Sequence, residues 1–153
     1  GDTGQANVED RLVNTGPAAF APMLMYHMNI GAWHFDAATR LLGPSFDKGD
    51  IGWRFGDGEG LVFCVPAVSE EGRAHVRLGP LAAIGGRSLH VWFSTETLPH
   101  LQMWRNQAGH CNVLGIEPVS HPWKSRTELA ADGLMDLLQP GETRNYSLGF
   151  AFE

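Results

Sequence analysis

The chain has 153 residues and a formal net charge of −6, with eleven Lys and Arg scattered along it. That length suits one domain whose core is large enough to need no staples, and that charge is wrong for a nucleic-acid phosphate backbone or an anionic membrane surface. No apolar run approaches the ~20 residues needed to cross a bilayer, and two cysteines, Cys64 and Cys111, make no disulfide framework and fit a cytoplasmic location.

The apolar pattern repeats mostly every second residue, which predicts strands. In chain order they fall at 7–14, 20–29, 60–66, 74–78, 88–94, 101–106 and 111–117, and in a final strand reaching Phe152. Between the second and third lies a long loop, 36–50, centred on Gly43-Pro44. In the segment 88–94, Leu89, Val91 and Phe93 oppose His90 and Trp92, and at the end Tyr146, Leu148, Phe150 and Phe152 oppose Asn145, Ser147, Gly149 and Ala151. Only Ser125–Glu128, S-R-T-E, reads as a helix start, a capping box that Gly133 soon interrupts. The expected architecture is all-β: one domain over residues 1–153, an antiparallel β-sandwich or barrel. Charged residues make up 18%, against about 25% in an average soluble domain. That shortage points to additional buried surface, such as an interface with a partner.

Several polar residues stand where chemistry is expected. If 20–30 is one strand, His27 and Asn29 share a face beside Gly31, which leaves room for a ligand or for a hydrogen-bonded structural pair. Glu117 closes an apolar strand before Pro118, either solvated or held at a pocket rim. Trp33 and His34 follow the His27 strand. His90 and Trp92 share a face, where the indole suits a sugar ring, and Arg105 suits a hydroxyl or phosphate. Seven histidines raise a metal-binding, cupin-type barrel as a rival, yet no H-x-H, H-E-x-x-H or C-x-x-C spacing occurs, and no metal or other cofactor is expected. There is no G-x-S-x-G elbow either.

Taken in order, Y-H-M-N-I-G (26–31), L-P-H-L-Q-M-W (98–104), G-I-E-P (115–118) and L-Q-P-G-E (138–142), followed by an aromatic final strand, resemble the C-terminal half of the aldose 1-epimerase, or galactose mutarotase-like, superfamily. The resemblance runs from about Val8 to Phe152. It implies roughly half of a β-supersandwich, a small sugar as partner, no cofactor, and anomer interconversion with His27 as acid and Glu117 as base. Asn29, Trp33, His34, His90, Trp92 and Arg105 stand as candidate sugar contacts by their own positions in the sequence. Members of that superfamily are typically about twice as long. The chain is therefore expected to be a fragment, a short homologue that completes its sheet in a homo-oligomer, or a sugar-binding module that has lost the chemistry.

Overall fold

The computed structural model describes residues 4–153, so the first three positions of the expected domain lie outside it. Among the described residues are ten strands: β1 (Gln5–Val13), β2 (Met28–Gly31), β3 (Arg40–Leu42), β4 (Asp50–Gly52), β5 (Gly60–Pro66), β6 (Arg73–Leu81), β7 (Arg87–Ser94), β8 (His100–Asn106), β9 (Val113–Val119) and β10 (Thr143–Phe152). They form a six-stranded sheet, β1-β10-β7-β6-β3-β4, and a four-stranded sheet, β2-β9-β8-β5. Every ladder is antiparallel. No helix among the described residues is long and apolar enough to cross a membrane.

The two sheets share one hydrophobic cluster, and alternation decides what enters it. On β7, Leu89, Val91 and Phe93 are buried while His90 and Trp92 are half-buried on the other side. On β8 and β9, Leu101, Met103, Leu114 and Ile116 are fully buried, and Met103 pairs directly with Ile116. The opposite alternates of the four-stranded sheet, Asn29, Gly115, Glu117, Gln102, Trp104 and Cys64, therefore share its outer face. On β10, Tyr146 and Leu148 enter the cluster, but Phe152 is exposed and Ala151 is buried instead, between Gln5 of β1 and His90 of β7.

Two segments differ from the periodic reading. The expected loop 36–50 contains β3, whose Leu41 is fully buried, and leads straight into β4, the two being joined by the Arg40–Asp50 ion pair. Three-residue strands carry no readable period. The expected strand 20–29 is mostly not a ladder: Phe20 bridges Leu138, Met25 bridges Val119, and regular pairing starts only at Met28. Pro22 has no N–H to donate, and the chain instead tacks onto the region beyond β9 through Leu24 N to Ser120 Oγ and Ser120 N to Leu24 O, both 2.9 Å. The helix α1 (Arg126–Ala131) carries the expected capping box, with Ser125 Oγ accepting from Glu128 N and Glu128 Oε2 accepting from Ser125 N.

Candidate functional site

The β2–β9 ladder pairs Asn29 with Gly115. Two residues back along one strand and two forward along the other, His27 meets Glu117, although His27 itself precedes the regular ladder. Two hydrogen bonds hold it there. Tyr26 N donates to Pro118 O at 3.0 Å, and the Tyr26 hydroxyl, directed away from the site, donates to Asp10 Oδ2 of β1 at 2.6 Å. Burial, reinforced by Asp10, pushes the Tyr26 phenol well above its usual value, so it stays a donor.

His27 Nε2 lies 2.8 Å from Glu117 Oε1; the carboxylate side chain is 1% exposed and the imidazole 42%. The pair thus meets solvent through the imidazole. Gln102, opposite Glu117 in the β8–β9 register, donates from Nε2 to Oε2 at 2.6 Å. Oε1 is different: the His27 contact is close, but the ring N–H is not aimed at it, and this buried oxygen has no hydrogen-bond donor among the described residues. Burial raises the carboxyl above the usual range, against opposing pulls from Gln102 and His27. Gly115 makes the space, because a Cβ there would stand 2.4 Å from Oε1. Trp104 meets the imidazole edge to face, with ring centroids 5.3 Å apart. The chain after β9 returns over this face, where the Trp123 backbone bonds the Cys64 thiol, whose pKa burial pushes up.

The expected site residues separate into three groups. Asn29 stands on the same face as the pair, and the exposed Trp33 ring lies 3.8 Å from where a Gly31 Cβ would be, at the same end of the sheet. His34 is exposed in the following connection. Arg105 turns the other way: it alternates with Met103 into the interior, is 1% exposed, and spends its donors on the carbonyls of Phe55 (3.0 Å), Gly58 (3.0 Å) and Asp57 (3.4 Å) and on Gln107 Oε1 (2.9 Å). It clamps the turn before β5 and does not join the pair. His90 and Trp92 lie on the outer face of the other sheet, across the core from the pair. Gln102 and the exposed Trp123 join the site without standing among the expected residues. Gln102 was readable as the outward alternate between Leu101 and Met103.

Over residues 54–152 the chain matches a family described as a domain of unknown function, DUF4432. The chain belongs to the DUF4432 family. No curated protein matches this DUF4432 chain. Among solved structures it is similar to a provisional aldose 1-epimerase of Klebsiella pneumoniae subsp. pneumoniae (TM-score 0.78, 21% identity), covering 97% of this chain and 42% of that one. It is also similar to the Slr1438 protein of Synechocystis (0.69, 21%, covering 97% and 50%) and to a galactose mutarotase-related enzyme of Lactobacillus acidophilus (0.66, 13%, covering 97% and 57%). The DUF4432 chain thus has the epimerase-like β-fold and spans about half the length of the solved structures it matches.

Proposed function

We propose that this DUF4432 chain carries the catalytic sheet of an aldose 1-epimerase-like isomerase acting on a neutral sugar. The observation behind this reading is the close His27–Glu117 pair, in which one buried carboxylate oxygen has no donor among the described residues. An anomeric hydroxyl is a donor of the right kind. Glu117 accepts its proton while His27, protonated, donates to the ring oxygen. The C1–O5 bond then breaks to leave an open aldehyde. Rotation about C1–C2 presents the other carbonyl face, and closure runs the two transfers in reverse. Burial strengthens Glu117 as a base, and a half-exposed imidazole exchanges protons with water. The outward residues of β2, β5, β8 and β9 include no Lys or Arg, which favours an uncharged sugar over a sugar phosphate. Exposed Trp33 and Trp123 offer flat apolar surfaces for a pyranose.

Polarimetric mutarotation of a panel of free aldoses tests the proposal. His27→Asn and Glu117→Gln are each expected to lower kcat about 10²–10⁴-fold. A rate identical in wild type and the double variant on every sugar removes the enzyme reading. The span of only about half of each solved structure favours a second reading, a sugar-binding module without catalysis. Saturable sugar binding with no rate above that of buffer identifies it.

A further inference from the structure

The outer face of the six-stranded sheet carries an aromatic and polar group that plays no part in the chemistry above. Cross-strand register sets His75 beside Trp92, Trp92 beside Gly149, and Gly149 beside Asn7. The Trp92 indole lies over the bare backbone of Gly149: a Cβ there would meet its ring atoms at 2.4 and 2.5 Å and Asn7 Oδ1 at 2.6 Å. The indole therefore occupies the space a side chain would take and remains half-buried.

Its flank is propped rigidly. Arg77 Nη2 lies 2.6 Å from Glu153 Oε2, Glu153 Oε1 lies 3.0 Å from His90 Nδ1, and His90 Nε2 lies 3.0 Å from His75 Nδ1. With Glu153 ionised, His90 Nδ1–H donates to it and His90 Nε2 accepts from His75. Both nitrogens of His90 are spent, so His90 is a buttress rather than a ligand contact, and its ring sits 5.3 Å from the indole. Beside the indole, Asn7, Glu9, Arg73 and Ser147 line a hollow of about 60 Å³. That is the volume of about two waters at ~30 Å³ each, enough for a hydroxymethyl arm and too small for a ring. A ring bound here must rest on the indole. Arg73 faces Glu9 across the hollow, so neither sign of charge dominates.

We propose that this face is a second carbohydrate-binding surface, in which Trp92 stacks on the apolar face of a neutral pyranoside while Asn7, Arg73 and Ser147 hydrogen-bond its hydroxyls. The surface is separate from His27 and Glu117 and does not depend on their being catalytic. The test uses methyl β-D-glucopyranoside and methyl β-D-galactopyranoside, whose locked anomeric centres cannot be epimerised. In the ¹⁵N-labelled chain, the Trp92 indole N–H signal, assigned by its loss in Trp92→Phe, is followed through a titration. A saturable shift is expected with one or both glycosides, unchanged in His27→Ala. Trp92→Ala is expected to weaken binding, read at the Asn7 side-chain amide, about tenfold. If that variant does not fold, the wild-type titration alone decides. A fixed Trp92 signal overturns the proposal, whether nothing else shifts or only Trp104 near the His27 pair responds. So does a Trp92 shift that disappears with His27→Ala.

Discussion

Glu117 is the residue on which the proposed chemistry turns, and its burial has a measurable consequence. A carboxyl raised by burial binds its proton more tightly folded than unfolded. Its contribution to stability is therefore fully present below its unfolded value, about 4.5, and is lost as pH rises through the folded value. Glu117→Gln abolishes this titration. In urea unfolding across a pH series, the stability of wild type minus that of the variant should fall as pH rises from 4.5 and then level off; a flat difference would show that the carboxyl is not perturbed. Arg105 tests the opposite assignment. Its cation is buried against carbonyls, and Arg105→Met leaves those carbonyls without donors, at a cost of about 3 kcal/mol or roughly 6–12 °C in Tm. Sugar affinity in the folded variant should be unchanged, which a sugar-contacting arginine would not allow.

Individual elements were legible in proportion to their length and regularity. β7 and β10 were plain, because eight and ten residues of alternation average out exceptions. β3 and β4 were hidden, since three residues cannot display a period. The segment before β2 misled: its apolar content is real, but it is consumed by isolated bridges to Leu138 and Val119. His27 nevertheless reaches Glu117, because two residues of β2 and two of β9 set the spacing and Tyr26 fixes the approach. The residue pairing was thus visible through the motifs, and the inward turn of Arg105 follows from its alternation with Gln102 and Trp104, while the placing of His90 and Trp92 on the other sheet required the sheet order, which no local pattern encodes. α1 was read from its cap alone. Ser125→Ala should loosen it by about 1 kcal/mol, seen as faster amide exchange at Glu128 and Leu129 with little change elsewhere.

Across the molecule, the two sheets are unequal, six strands facing four. The two strands at one end of the larger sheet, β3 and β4, have three residues each and bury one side chain, Leu41, between them. The connections supply apolar cover instead: Phe46, Trp53 and Phe55 are buried in the common cluster, with Phe35 against Trp53 at 5.3 Å and Phe55 against Phe63 at 4.8 Å. Trp53 is tied to its neighbour connection by Nε1–H to Asp36 O at 2.9 Å. Such wedges lack the mutual backbone ladder that makes strands open together. Warming should therefore free the indole of Trp53 while β8 and β9 still protect their amides, giving a fluorescence transition ahead of the loss of β-sheet circular dichroism. The molecule would melt from its β3–β4 end inward, and coincidence of the two signals would show that the wedge is welded to the rest.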